Sequence, residues 1–218
     1  MLFPCLIGFA RIFRQIRLRA TFSYRCRQFR TNAVLYKRTA MLYDIPMKPK
    51  TLEELNIQRR HTCCFTGHRS IEVGNDFKPR LIEFINLLYT KYGVDTFVAG
   101  GAMGFDTMAA TAVLRAKKVH NIPIRLLLIL PCPNQGERYS LYDRFFYDLA
   151  KVRADYIEYV SDHYYNGCMH RRNRRMVELS ALCVCYLTQD TGGTKYTVDY
   201  ATKCGLKVIN LAKARGGA

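Results

Sequence analysis

FVAGGAMGFDTMAA, residues 97–110, passes from a strand-like apolar start through three glycines into small residues at helical spacing, with an aspartate in the first turn. A strand, a glycine bend and a helix in immediate succession form the repeating unit of an α/β layer fold. Working outward, the alternation recurs. Short apolar runs read as strands at TCCFTG (62–67), DTFVAG (95–100), IRLLLILP (124–131), YIEYV (156–160), ALCVCYL (181–187) and KVINL (207–211). Helical patterns lie between them at 78–92, 104–119, 140–153, 169–180 and 195–204. Gly93 and Gly205 stand where two of those helices would end in a left-handed residue. Strands that are almost continuously apolar belong to a sheet covered on both faces. The expected architecture is a Rossmann-like three-layer α/β fold, a mainly parallel sheet of about six strands flanked by helices.

The 218 residues, 49% of them hydrophobic, suit one core. The domain is placed at 61–213, preceded by a polar lead-in at 47–60 and a basic extension at 1–46. Residues 1–43 hold nine Lys or Arg and no acid, leaving 25 basic residues against 17 acidic ones in the rest. The extension is expected to be unpacked: an organelle-type presequence, a basic arm, or the product of a start codon set too early, with Met41 or Met47 as the true start. Its apolar run LFPCLIGFA is far shorter than the roughly 20 residues that span a bilayer, so no membrane span is expected. The nine cysteines include no C-x-x-C, which argues against a zinc ribbon or a thioredoxin motif and fits reduced thiols in the cytoplasm. Cys168 and His170 lack further ligands at metal-binding spacing, and no metal and no cofactor are expected. The remaining positive charge suits a phosphate-rich partner, whether nucleotide or nucleic acid.

In open α/β sheets ligands bind beyond the carboxyl ends of the strands. Four such ends are distinctive. TGHR (66–69) offers Gly67 for close backbone approach, with His68 and Arg69 as donors to phosphate or carboxylate, or else a plain turn with two solvated side chains. In the opening stretch Gly100, Gly101 and Gly104 clear space before a helix N-terminus, where free amides attract anions. Asp106 there either favours the helix start or accepts from a ribose hydroxyl. The spacing G-G-x-x-G matches neither the dinucleotide fingerprint nor the P-loop pattern. After the third strand, Gln135 and Arg138 could read the edge of a base or sugar, although the prolines and Asn-Gln-Gly are ordinary turn formers. The fourth end, TGGTKYTVDYA (191–201), presents Gly192 and Gly193 followed by Thr194 and Thr197. Finally, CMHRRNRRMVELS (168–180) packs four arginines into one helix. Arg172 lies beside the side that must face inward and so calls for an anion, while Arg174 and Arg175 read as a solvated face.

Together CFTGHR, VAGGAMGFDTMAA, LPCPNQGERYS, GCMHRRNRRMVE, GGTKYTVDYA and GLKVINL resemble, in the same order, the YpsA family within the SLOG superfamily of Rossmann-like proteins, over about Arg60 to Leu211. Members are taken to bind nucleotides or nucleotide derivatives such as ADP-ribose in a glycine-lined crevice. The resemblance therefore implies ligand contacts at Gly67, His68, Arg69, Gly100, Gly101, Gly104, Asp106, Gly192, Gly193 and Thr194. It also implies assembly of two copies through helices flanking the sheet.

Two relatives in that superfamily frame the competing functions. Cytokinin-activating phosphoribohydrolases carry an M-H-x-R-K-x-x-M helix and a P-G-G-x-G-T-x-E-E loop. Met169, His170, Arg172 and Met176 match the helix, but Asn173 replaces its lysine, Thr191 replaces the proline, and the nearest acid is the shorter, shifted Asp199. Glycosidic hydrolysis needs a well-placed carboxylate. A catalytic pair, if there is one, would be Arg172 and Asp199. The DNA-processing protein DprA binds single-stranded DNA, for which the basic excess and the tyrosines would serve as phosphate contacts and stacking platforms. The reading adopted is a sensor or regulatory module for a nucleotide-derived small molecule. Phosphate is captured at Gly100–Gly104 and Gly192–Thr194, charge is neutralised by Arg69 and Arg172, and Asp106 and Gln135 meet ribose or base.

Overall fold

A computed structural model describes residues 51–212 of the chain; the readings on residues 1–50 and 213–218, including the basic extension, lie outside the described residues. Six strands alternate with five helices. They are β1 (Thr62–Gly67), α1 (Phe77–Tyr92), β2 (Thr96–Ala99), α2 (Phe105–Val119), β3 (Arg125–Leu130), α3 (Leu141–Arg153), β4 (Tyr156–Tyr159), α4 (Cys168–Glu178), β5 (Leu182–Tyr186), α5 (Gly192–Lys203) and β6 (Lys207–Asn210).

The sheet order is β4-β3-β2-β1-β5-β6, and every neighbouring pair runs parallel. The chain steps outward from β1 to β4, then α4 carries it back to lay β5 on the other side of β1. The direction of winding reverses there, so a crevice opens beyond the carboxyl ends of β1 and β5. Register is held by the pleat: Cys64 lies level with Val98 on one side and Cys183 on the other.

Because successive strand residues point to opposite faces, the apolar runs feed two cores. Cys63, Phe65, Phe97, Leu126, Leu128 and Val184 pack beneath α1, α2 and α3. Cys64, Val98, Leu127, Ile129, Cys183 and Cys185 pack beneath α4 and α5, joined by Leu52 and Ile57 of the lead-in. The cysteines thus act as small buried hydrophobes. Helix α2 can lie close on the sheet because Ala109, Ala110, Ala112 and Ala116 form its inner side. Gly93 closes α1 at φ 67°, its N–H reaching the carbonyls of Leu88 and Tyr89. Ser140 opens α3 by accepting from the Asp143 amide.

Two element boundaries shape the crevice. Strand β2 stops at Ala99, so both Gly100 and Gly101 belong to the bend. Helix α5 starts at Gly192, three residues before the expected 195, so its paired glycines form the first helical turn instead of a loop ahead of it.

Candidate functional site

The crevice is organised around Arg172. This residue sits one turn into α4, and its guanidinium passes over the end of β2, where Nη1 donates to the Gly100 carbonyl. A side chain at position 100 would run into the buried guanidinium. The same nitrogen is 3.7 Å from Asp106 Oδ2, and both side chains are 6% exposed. The backbone amides of Ala102, Gly100 and Gly67 also favour the ionised form of Asp106. Burial outweighs those amides and the guanidinium together, pushing the Asp106 carboxyl up to about 6. Burial likewise moves Arg172 down from the ordinary arginine range, against the pull of Asp106.

The Gly100–Gly104 bend is therefore filled by the protein itself. At the α2 start two amides are met by carbonyls: Phe105 N–H donates to His68 and Thr107 N–H to Ala102. Gly104 has φ 74°, and a Cβ there would run into the Arg69 and His68 carbonyls. Around the rim, Gln135 Nε2 donates to the Gly100 carbonyl at 3.2 Å and the Tyr139 hydroxyl to that of Gly101 at 3.1 Å. Arg172 Nε and Gln135 Oε1 are buried without a hydrogen-bond partner among the described residues. Arg69 is exposed above this cluster, close enough to act electrostatically on Arg172 and Tyr139. Arg138 remains exposed.

The second bend differs. A Cβ at Gly192 or Gly193 would meet nothing within 4 Å. No side chain caps the start of α5. Here glycine leaves space that no other part of the described chain uses. Thr194 is buried beneath it, and Thr197 Oγ1 donates to the Gly193 carbonyl at 2.7 Å while accepting from Asn173 Nδ2 at 2.7 Å. Since Asn173 adjoins Arg172, one turn of α4 touches both bends, binding Gly100 through Arg172 and Gly193 through Asn173 and Thr197. His68 adds a third tie by accepting the Thr188 amide on Nε2 at 3.0 Å, which joins the β1 end to the loop leading into α5.

Asn173 and Tyr139 carry more of this arrangement than their sequence context indicates; Asn173 is legible there as a departure from a helix motif, Tyr139 only as one tyrosine among many. Asp199 does not join the cluster: it pairs with Lys195 on the surface of α5, its side chain 59% exposed. Among the described residues no group of three or more His, Cys, Asp or Glu could hold a metal ion, and no helix is long and apolar enough to cross a membrane.

Comparison with known proteins agrees with the α/β fold. The family model described as the YspA SLOG family matches residues 63–208. A UPF0398 protein of Macrococcus caseolyticus (strain JCSC5402) is 25% identical over 117 residues, which cover 50% of this chain and 62% of that protein. The uncharacterised SPbeta prophage-derived protein YoqJ of Bacillus subtilis (strain 168) is 27% identical over 138 residues, 58% of this chain and 80% of that protein. Among solved structures, DNA processing protein A of Helicobacter pylori, described for its single-stranded DNA binding mode, aligns with a TM-score of 0.52 at 17% identity over 76% of this chain and 74% of its own. That likeness is one of fold. The chain belongs to the YpsA SLOG family.

Proposed function

We propose that this YpsA SLOG family member binds a nucleotide-derived small molecule, ADP-ribose-like or a nucleoside phosphate, in the crevice beyond β1 and β5 and serves as a sensor or regulatory module. The observation that carries the reading is the open first turn of α5. Its glycines face space, its start carries no side-chain cap, and its helix dipole favours an anion there. A phosphate would rest on the Gly192–Thr194 turn with the exposed Arg69 as counter-charge. Gln135, whose amide oxygen is unpaired, would meet ribose or base. Asp106 and Arg172 hold the floor of the crevice in shape, and this supports binding over hydrolysis, because the buried guanidinium is already engaged and Asp199 lies on another surface.

The test is calorimetric titration with ADP-ribose, NAD, AMP and other nucleoside monophosphates, repeated on Gly193→Ala. The new methyl meets no protein atom, so stability should stay within about 0.5 kcal/mol of the parent. Affinity should drop at least tenfold, as the methyl blocks the phosphate. Absence of binding by every compound, or equal binding by the variant, would overturn the reading.

A further inference from the structure

Helix α4 has a second side. Arg171, Arg174, Arg175 and Glu178 recur at three- and four-residue spacing on the surface away from Arg172 and Met176, which are buried. This surface forms one wall of a cleft of about 510 Å³ that also includes Glu158, Tyr159 and Tyr200, from the end of β4 and from α5. The volume falls within the range of small-molecule sites, roughly 300–1,000 Å³.

The charges within it are unequal in availability. Arg175 is held by Glu158 in a two-point pair, Nε to Oε1 at 2.8 Å and Nη2 to Oε2 at 3.2 Å, so these two residues form a neutral, fixed part of the wall. Arg171 and Arg174 are exposed, and no hydrogen bond or ion pair joins either side chain to a described residue. Glu178 alone offsets them, which leaves the cleft positive. Tyr159, 38% exposed on the edge strand with Lys151 Nζ 5.8 Å from its ring centroid, and the half-buried Tyr200 line the cleft with the two free guanidiniums. Guanidinium forks recognise phosphate oxygens, and phenol rings stack on planar ones.

We propose that this cleft is a second ligand site, separate from the glycine-lined crevice, which takes a phosphate ester joined to a planar ring, that is, a nucleotide. Free nucleotides and nucleotides within a single strand offer the same chemistry, and the experiment separates them. Fluorescently labelled oligothymidylate of about ten nucleotides, within the site size common for strand-binding folds, is titrated with the full chain, and unlabelled dTMP is then added as competitor. Labelled dTMP is titrated in parallel. Every titration uses the chain carrying Gly193→Ala, which silences the glycine crevice, and the variants added to it are Arg171→Glu with Arg174→Glu, and Tyr200→Ala.

Binding that weakens at least tenfold in the double arginine variant and in Tyr200→Ala, relative to the Gly193→Ala chain, is the expected result. Full competition by dTMP would name the free nucleotide, and binding of the oligomer alone would name the strand. In the latter case the salt slope should fall by about 1.4, the share of two phosphate contacts. Binding that survives the charge reversal, or no binding by either probe, overturns the proposal and leaves the glycine-crevice reading untouched.

Discussion

At the scale of single residues, Asp106 shows what a local motif conceals. Its place in the first turn of a helix after three glycines reads equally well as a ligand contact or as a helix-start acid. Its partner Arg172 is remote in sequence, and no spacing rule connects them. Once the fold brings the guanidinium onto Gly100, the glycines accommodate protein instead of ligand. The Gly192–Gly193 pair looks much the same in sequence and proves open, because no comparable side chain reaches it.

The buried carboxyl also makes stability depend on pH in a direction unusual for an aspartate. Its folded-state value is raised to about 6 from 3.8, so the folded protein binds a proton between those limits that the unfolded chain releases. Stability from this group is full below about pH 4, falls as pH rises through 6, and is level above. In Asp106→Asn the dependence is absent. The unfolding free energy of the parent relative to that variant should therefore increase by up to about 3 kcal/mol on going from pH 7 to pH 4, measured by urea denaturation; a flat or inverted difference would contradict the assigned burial.

At the scale of elements, strands and helices are legible because their apolar periodicities are strong and their ends carry glycine or serine. The exception is the start of α5. Paired glycines read as loop on propensity, yet the Thr197 hydroxyl, held by Asn173, grips the Gly193 carbonyl and draws both glycines into the helix. Thr197→Val keeps the shape and removes the hydroxyl, leaving the Asn173 amide and that carbonyl without their partner. It should cost about 1–3 kcal/mol and weaken ligand binding at the same turn, whereas Thr197→Ser should retain most of both. Chemical denaturation alongside titration would check the pair, and equal loss in Ser and Val would mean that the methyl, not the hydroxyl, matters.

At the scale of the whole molecule, the lead-in belongs to the fold more than its polar composition implies. Leu52 and Ile57 pack against the core beneath α4 and α5, Arg125 donates to the Leu55 carbonyl and Arg59 to that of Cys204. A chain begun at His61 should thus be less stable than one begun at Thr51 by about 2 kcal/mol, or about 5 °C in Tm, as calorimetry would show; identical melting would mean those contacts contribute nothing. The sheet order has a further consequence for synthesis. Strand β1 is made before the others and has only β2 beside it at first; its other edge stays bare until β5 arrives at Leu182. A nascent or prematurely ended chain that stops short of that point carries an open apolar strand at the edge of its sheet, ready to pair with a neighbouring copy before its own C-terminal end can claim the place.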